Sequence, residues 1–422
     1  MRHRRIRLLC AVLVATGLGV VPSAAAAAAG DLDPGFSGDG VHVDPADGVI
    51  GPSVEVQEDG KIVVAGFGPA GGVVQRFLPS GAPDLSFGGD GEVVADFGAP
   101  TEIWGMAVQA DGRIVIAGTS AVPADADDSD LAIARYTASG ALDTTFRGDG
   151  IARLDLGFRD GAHAVAATPD GKILVAGRSQ VGGGFDFLVA RFTATGALDG
   201  AFSGDGRVTV GFGGVADEAM DVEVQADGKV VVAGRTDAGG TADHDFAVAR
   251  LRSGGALDHG FHLDGKVTTD FGGSDKAAGL ALRPDGRLVV AGWRVGGGSD
   301  FALARYTAAG ELDTSFHGDG RLTTAFGATY DYAKDVAIQP DGRIVVVGSA
   351  RVSPVGDGDF ALARYRPSGA LDSSFGDGGR VETDVSGYDS LGSLALQDDG
   401  RIVVSGATGD DGSRHLVVAR YQ

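Results

Sequence analysis

Short runs of alternating apolar and polar residues, separated by glycine-rich turns, extend over almost the whole chain. In the fifth of these units, alternation over 278–282 leads into an Asp285-Gly286 turn, and a β-branched run follows over 287–291. Alternation with a period of two is typical of half-buried β-strands, and Asp-Gly pairs supply the backbone angles of tight hairpins. No segment after residue 30 has a helical period. The pattern therefore predicts an all-β protein with four short antiparallel strands in each unit.

Three sequence markers recur seven times, in constant order and at a spacing of roughly 56 residues. The first is an Asp-Gly pair before a β-branched run, with its aspartate at Asp59, Asp111, Asp170, Asp227, Asp285, Asp341 and Asp399. The second is Asp-x-x-Phe, which ends at Phe36, Phe87, Phe146, Phe202, Phe261, Phe316 and Phe375. The third is an arginine that closes an alternating strand, at Arg76, Arg135, Arg191, Arg250, Arg305, Arg364 and Arg420. Four-stranded units repeated around a ring predict a seven-bladed β-propeller.

The two ends of the repeat array predict how the ring closes. The chain enters the array at an Asp-x-x-Phe element and a strand near Val41, and it finishes on a third strand over 416–421. We expect the N-terminal strand to complete the last blade, which leaves no open sheet edge. Each strand arginine precedes the aspartate of the next Asp-x-x-Phe by eight residues, which predicts a charge-assisted pair in every blade. Arg420 and Asp33 lack such neighbours, so we expect them to pair across the closure.

The first thirty residues have the pattern of a secretory signal peptide. Four arginines precede a continuous apolar run over 8–21, and an alanine-rich stretch follows. We therefore assign residues 1–30 to the signal peptide and residues 31–422 to a single propeller domain, and we expect a secreted, extracellular protein. Cys10 is the only cysteine, so the mature chain would have no thiol chemistry and no disulfide.

The charge of the chain excludes several classes of partner. The formal net charge is −22, and loss of the four arginines in the signal segment changes it to −26. So acidic a surface argues against nucleic acid, and no later segment is long and apolar enough for membrane insertion. We expect a monomer without a cofactor, with calcium as the alternative. Glycine accounts for 72 of 422 residues, which fits a fold with many tight turns.

Three recurrent runs resemble the bacterial delta-60 repeat β-propeller family over the whole mature chain. They are Leu-Asp-x-x-Phe-x-Gly-Asp-Gly, Pro-Asp-Gly-Arg-Ile-Val-Val-x-Gly and Phe-Ala-Leu-Ala-Arg-Tyr. The resemblance implies a propeller domain of a secreted or surface protein. No single activity attaches to that family, so the resemblance transfers no catalytic residue to this chain.

Positions that differ between the seven copies are the candidates for a binding site, because a ligand usually breaks the symmetry of the repeat. At the mouth of the innermost strands, seven positions before each Asp-Gly pair, the chain has Pro52, Trp104, His163, Met220, Ala278, Lys334 and Gly392. Nearby carboxylates are Asp221 and Asp335, and Glu55 and Glu223 replace the alanine of the other blades. Tyrosines that could stack on sugar rings are Tyr330, Tyr332 and Tyr388. We predict binding on this variable-loop face and no catalytic or metal-ligating residue.

Two acidic motifs could suggest calcium. Gly-Asp-Gly recurs at Gly38, Gly89, Gly148, Gly204 and Gly318, and its position beside strands favours turns. The cluster Asp125, Asp127, Asp128 and Asp130 lacks the glycine and the final glutamate of a standard calcium loop. We interpret it as a solvated loop, with a weak calcium site as the alternative.

Two classes of function fit these residues, and a third, a purely structural scaffold, remains beside them. The first is a non-enzymatic binding module that docks a glycan, a cell-wall polymer or a protein on the variable-loop face. The alternative is a propeller hydrolase or lyase, similar to a lactonase, with a metal or a His/Glu pair at the channel mouth. Glu55, Asp221, Glu223, Asp335 and His163 could supply the ligands, and that alternative requires several of them to converge at about 2–2.6 Å from one ion. We expect a binding protein rather than an enzyme.

Overall fold

The computed structural model describes residues 28–46, 48–69, 71–122, 125–157, 159–237, 243–327, 329–351, 358–410 and 413–422. The predicted signal peptide lies outside the described residues up to position 27 and stays a prediction. The side chains of Asp125 and Asp127 also lie outside the described part of the chain. No helix in these ranges is long and apolar enough to cross a membrane.

The described residues form seven four-stranded antiparallel blades around a ring, as predicted. The first described strand is β1 (Val41–Val43), and blade 1 follows with β2 (Ile50–Val56), β3 (Ile62–Gly68), β4 (Gly71–Phe77) and β5 (Glu92–Ala95). Blade 2 has β6 (Thr101–Val108), β7 (Ile114–Val122), β8 (Asp125–Tyr136) and β9 (Ile151–Leu154). Blade 3 has β10 (Asp160–Ala167), β11 (Ile173–Val181), β12 (Gly184–Phe192) and β13 (Arg207–Val210). Blade 4 has β14 (Glu218–Val224), β15 (Val230–Thr236), β16 (Asp245–Leu251) and β17 (Lys266–Thr269).

The last three blades repeat the same order. Blade 5 has β18 (Ser274–Leu282), β19 (Leu288–Val295), β20 (Ser299–Tyr306) and β21 (Arg321–Thr324). Blade 6 has β22 (Tyr330–Ile338), β23 (Ile344–Arg351), β24 (Gly358–Tyr365) and β25 (Arg380–Thr383). Blade 7 has β26 (Ser390–Leu396), β27 (Ile402–Thr408) and β28 (His415–Tyr421), and β1 is its fourth strand. A parallel pair between Ser299 and Tyr330 joins blades 5 and 6.

Each Asp-Gly pair forms the tight turn between the first and second strands of its blade. In blade 4, Gly228 has φ of 80°, which favours glycine, and its amide donates to the carbonyl of Gln225 at 2.8 Å. The Asp227 carboxylate accepts the amide of Lys229 at 3.2 Å, which fixes the start of β15. The Gly-Asp-Gly motifs are also turns, as predicted, and in one of them Asp205 accepts the amide of Arg207 at 3.1 Å.

The ring closes where the sequence predicts. β1 pairs antiparallel with β28, with Val41 opposite Ala419 and Val43 opposite Val417. The Arg420 Nε donates to Asp33 Oδ2 at 2.8 Å, which confirms the predicted pair across the closure. The other six arginine–aspartate pairs, eight residues apart, have the same geometry at 2.8–2.9 Å.

The core lies between neighbouring blades. Among the described residues, seven clusters of buried apolar side chains alternate with the blades around the ring. All seven Asp-x-x-Phe phenylalanines are fully buried. The guanidinium of each strand arginine lies 4.5–5.1 Å from the centre of one of these rings. The Asp-x-x-Phe phenylalanine and the strand arginine therefore serve the packing between blades.

Candidate functional site

The innermost strands of the seven blades enclose a central channel of about 680 Å³. The seven predicted mouth positions all line it: Pro52, Trp104, His163, Met220, Ala278, Lys334 and Gly392. The four predicted carboxylates, Glu55, Asp221, Glu223 and Asp335, line it as well. The structure therefore brings most of the candidate residues to one cavity.

The mouth residues project from β-bulges. Each innermost strand shifts register against its neighbour at the mouth position, for example between Ala219 and Asp221 in β14 and between Ala333 and Asp335 in β22. A bulge inserts a residue that has no cross-strand partner and turns its side chain away from the regular pleat. The bulge explains why this position varies so widely among the seven copies.

Asp221 and Asp335 link neighbouring blades. Asp221 of blade 4 accepts the amide of Leu280 of blade 5 at 2.7 Å. Asp335 of blade 6 accepts the amide of Leu394 of blade 7 at 2.9 Å and the hydroxyl of Ser393 at 2.8 Å. Burial raises the pKa of both carboxyls. Because their oxygens already accept backbone amides, these two aspartates stabilise the ring of innermost strands.

Glu55 and Glu223 lie deeper in the channel, where the other blades have alanine. Burial, together with the nearby carboxyls of Glu223 and Asp335, raises the pKa of Glu55 to about 8. Burial also raises the pKa of Glu223 to about 7, with Asp335 adding to the effect. The channel therefore holds mutually repelling carboxyls that are partly protonated near neutral pH.

Replacing Glu55 by glutamine is expected to stabilise the protein at high pH only. The pKa of Glu55 is higher in the folded protein than its usual 4.5, so the unfolded chain ionises this carboxyl more easily. The free energy of unfolding therefore falls as pH rises from about 4.5 to 8. Thermal unfolding followed by circular dichroism should show a higher Tm for Glu55→Gln at pH 9, by a few degrees, and little difference at pH 5. Glu58→Gln, at an exposed position, serves as the control and should leave both values unchanged. An equal change in Tm for Glu55→Gln at both pH values would contradict the raised pKa of Glu55.

The channel carboxylates do not form the ligand set that the enzyme alternative requires. Among the described residues, the groups of three acidic or histidine side chains with ligand atoms within 4.8 Å of one another lie elsewhere. The His163 Nδ1–H donates to the carbonyl of Ala219 at 2.9 Å, and burial lowers the pKa of its imidazole. His163 is therefore a neutral, hydrogen-bonded wall residue of the channel. Trp104, which is 37% exposed, packs edge-on against Phe67 at 5.2 Å between ring centres.

A series of alternating cations and aromatic rings extends from the channel mouth over blades 5, 6 and 7. Lys334 Nζ lies 4.6 Å from the ring centre of Trp293, whose ring contacts Tyr332 edge-on at 5.4 Å. Arg351 lies 5.6 Å from the Tyr332 ring and 4.3 Å from the Tyr388 ring. On the other side of Tyr388, Arg414 lies 4.3 Å from the ring centre. We call Lys334, Trp293, Tyr332, Arg351, Tyr388 and Arg414 the cation–aromatic series.

The cations of this series have no acidic partner among the described residues. No carboxylate in that part of the chain lies within ion-pair distance of Lys334, Arg351 or Arg414. Burial, together with the positive charges of Arg351 and Lys276, lowers the pKa of Lys334 to about 8. Burial likewise lowers the pKa of Arg351, with Arg414 acting in the same direction. Among the described residues, an otherwise acidic protein therefore carries a local cluster of positive charges without ion-pair partners on its variable-loop face.

Sequence reasoning found Lys334, Tyr332 and Tyr388 but missed Trp293, Arg351 and Arg414. The missed residues belong to β19, to the end of β23 and to the segment before β28, whereas the comparison of repeats followed the innermost strands alone. Tyr330 stacks against Tyr332 at 6.5 Å between ring centres, beside the series. The sequence did contain a signal for Trp293, because the residue after the glycine of the second strand differs between copies. It is a tryptophan in blade 5 and a serine in blade 6.

Solved structures with a similar fold have diverse functions. A gluconolactonase from Xanthomonas campestris shares 11% identity, with a TM-score of 0.41 over 90% of this chain and 97% of that chain. The polysaccharide lyase Uly1 shares 12% identity, with a TM-score of 0.47 over 88% and 90% of the two chains. Sqt1 from Chaetomium thermophilum, solved with the N-terminus of a ribosomal protein, shares 14% identity, with a TM-score of 0.47 over 90% and 99%. These likenesses concern the fold and carry no argument about function.

The search of curated protein sequences finds no match to this chain. One family model does match, described as a domain of unknown function (DUF5122) beta-propeller. It covers residues 57–87, 109–146, 168–202, 225–261, 283–316, 339–375 and 397–422, which is more than half of the chain. The match supports a propeller repeat family without supporting the delta-60 name, so that resemblance stays a prediction. The seven matched segments coincide with the seven repeats of the ring, and the chain belongs to the DUF5122 β-propeller family.

Proposed function

We propose that this protein is a secreted, non-catalytic binding module whose variable-loop face binds an acidic polysaccharide. The cation–aromatic series carries this proposal. Its rings and cations contact one another in sequence from the channel mouth to the segment before β28 in blade 7, so that neighbouring sugar units would meet both kinds of group. The signal-peptide pattern of residues 1–30 supports the secretion of the protein.

The chemistry of the series suits a polymer of uronic acids. A sugar ring presents an apolar face that packs on an aromatic side chain, and its carboxylate accepts charge-assisted hydrogen bonds from arginine or lysine. Cations that stand beside one another without acidic partners favour an anion, because the anion relieves their mutual repulsion. A neutral glycan would leave that repulsion in place.

Replacing Arg351 by alanine is expected to weaken binding to polygalacturonate at least about tenfold. Arg351 lies between two rings of the series, and loss of one charge-assisted contact is worth about 1.5–3 kcal/mol, where 1.4 kcal/mol corresponds to a factor of ten. The measurement is isothermal titration of residues 31–422 with polygalacturonate at low salt. The affinity of the unmodified chain should fall as salt rises, because screening weakens exposed ionic contacts.

Arg366→Ala provides the matched control. Arg366 lies in the turn after β24, at the opposite end of that strand from Gly358, and its side chain is 55% exposed. This variant should bind polygalacturonate as well as the unmodified chain does. Equal affinity of the Arg351→Ala variant, or binding of neutral dextran and not of polygalacturonate, would refute the proposal. Failure to bind any polysaccharide would refute it too and would favour a protein partner.

A further inference from the structure

One layer of side chains near the channel mouth differs between the seven blades. On each innermost strand it lies two residues before the mouth position, as Lys276 does in blade 5. Its cross-strand partner directly follows a glycine of the second strand, so that Lys276 is opposite Trp293, and Glu218 of blade 4 is opposite Arg235. Residues directly opposite each other on antiparallel strands are close neighbours. We call these two positions in all seven blades the junction layer.

Contacts between blades show how the junction layer is arranged. Arg178, on the second strand of blade 3, donates from Nη1 to the carboxylate of Glu218 on the innermost strand of blade 4. Trp293, on the second strand of blade 5, contacts Tyr332 on the innermost strand of blade 6 edge-on at 5.4 Å between ring centres. The second-strand residue of one blade therefore faces the innermost-strand residue of the next blade.

The junction of blades 4 and 5 places two cations face to face. Arg235 of blade 4 and Lys276 of blade 5 occupy the two facing positions of the junction layer. Each of the other six facing pairs contains at most one positive charge. Facing positive charges repel each other, and an anion between them relieves that repulsion. Within the junction layer, this junction is therefore the one that favours an anion.

The hydrogen bonds of Arg235 leave one of its donors free. Its Nε and Nη2 donate to Glu218 Oε2 at 3.1 and 2.7 Å, whereas Glu218 Oε1 accepts Arg178 Nη1. Among the described residues, Arg235 Nη1 has no hydrogen-bond partner and Lys276 has no ion pair. Two guanidiniums thus share one carboxylate, and Lys276 adds a third positive charge beside them.

The pKa shifts of neighbouring groups agree with a positive potential at this junction. Burial lowers the pKa of Lys276, and the charge of Arg235 acts in the same direction, whereas Glu218 opposes the shift. Burial also lowers the pKa of His244, together with the charges of Arg235 and Lys276. Asp237 and Glu218 oppose that second shift. Arg235 and Lys276 therefore act on their surroundings as a pair.

We propose that Arg235 and Lys276 form an anion subsite that extends the polysaccharide site to the junction of blades 4 and 5. Trp293, opposite Lys276 in the strand pair, contacts Lys334, so the subsite is continuous with the cation–aromatic series. A sugar carboxylate would accept charge-assisted hydrogen bonds from Arg235 Nη1 and Lys276 Nζ. Glu218 is a positioning residue, because it holds the guanidinium of Arg235. The extension to a polysaccharide rests on the proposed function, whereas anion binding does not.

Inorganic sulfate tests the subsite without a polysaccharide. NMR spectra of isotope-labelled residues 31–422 would follow the backbone amides of Arg235 and Lys276 during titration with sodium sulfate, against sodium chloride at equal ionic strength. We expect saturable shifts of both amides with sulfate. Lys276→Gln should abolish or strongly reduce the shift at Arg235. Circular dichroism should show this variant to be folded, because among the described residues the substitution breaks no ion pair.

Polygalacturonate tests the extension of the site. Isothermal titration should show that Lys276→Gln weakens binding about fivefold, the equivalent of one partly exposed ion pair. Lys229→Gln is the matched control, because it removes the same charge at the opposite end of β15 from Arg235, where Lys229 pairs with Asp227 at 2.8 Å. This control should retain both the sulfate shifts and the affinity for polygalacturonate.

The two probes separate the subsite from the proposed function. Shifts at Arg235 and Lys276 that are equal in sulfate and chloride, or that persist in a folded Lys276→Gln variant, would overturn the subsite. Binding of polygalacturonate with unchanged affinity by Lys276→Gln would overturn the extension and leave the proposed function standing. Saturable sulfate shifts in a chain that binds no polygalacturonate would support the anion subsite and refute the proposed function.

Discussion

Replacing Phe202 by alanine is expected to lower the free energy of unfolding by about 3–5 kcal/mol, the cost of truncating a fully buried phenylalanine. Phe202 is 0% exposed and packs between blades 3 and 4 with Phe187, Val210 and Val232. The guanidinium of Arg191 lies 4.7 Å from its ring centre, so the substitution removes a cation–π contact together with the packing. Urea unfolding of residues 31–422, followed by circular dichroism, measures the change.

Leu263→Ala is the control for that substitution. Leu263 belongs to the turn of the next repeat and is 87% exposed, so its truncation should change the free energy of unfolding by no more than about 0.5 kcal/mol. If Phe202→Ala cost as little as Leu263→Ala, the recurrent phenylalanine would not be the core residue of its blade.

Asp33→Ala is expected to cost about 3–5 kcal/mol, because it leaves a buried guanidinium without its partner. Asp33 is 3% exposed, and its Oδ2 accepts Arg420 Nε at 2.8 Å and lies 2.9 Å from Arg401 Nε. Arg420 also donates to the carbonyl of Pro79 in blade 1 at 2.6 Å, so the pair holds the first and last repeats together. Urea unfolding again gives the energy, and limited proteolysis should show faster cleavage near β1.

The acid dependence of the closure follows from the same contacts. Burial alone would raise the pKa of Asp33, but the Gly35 amide and the charges of Arg420 and Arg401 lower it below the usual 3.8. A carboxyl with a lowered pKa contributes stability above its unfolded pKa and loses it as pH falls through the folded pKa. The difference between Asp33→Ala and the unmodified chain should therefore persist at pH 7 and shrink below about pH 4.

Asp258→Ala is the matched variant, since Asp258 forms the same pair with Arg250 inside a blade whose strands are continuous in the chain. Both variants should be destabilised, but only Asp33→Ala should expose β1 to protease. A cost below about 0.5 kcal/mol for Asp33→Ala, or equal protease resistance of the two variants, would contradict the closure.

The fold was accessible from the sequence because its information is local and repeated seven times. An Asp-Gly turn, an Asp-x-x-Phe element and a closing arginine each act within one blade or on its neighbour, so their spacing predicted strands, blade number and the Arg420–Asp33 pair. The mouth positions were also predicted, since each one is the bulge residue of an innermost strand. Their side chains vary because no cross-strand partner constrains them.

The candidate sites were only partly accessible because their residues come from different blades. Trp293 and Arg351 belong to the second strands of blades 5 and 6, and Arg414 belongs to the segment before β28. Each contacts another member of the cation–aromatic series, but no spacing rule in the sequence connects the three positions. Such sites become visible only when the ring brings neighbouring blades together.

Hydrogen–deuterium exchange of residues 31–422 with and without polygalacturonate tests the proposed binding face most directly. We predict slower exchange of backbone amides at 291–295, 329–334, 346–351, 385–390 and 413–416, where the cation–aromatic series lies, and no change at the Asp-Gly turns of the opposite face. Protection confined to those turns, or none at saturating polysaccharide, would contradict the account.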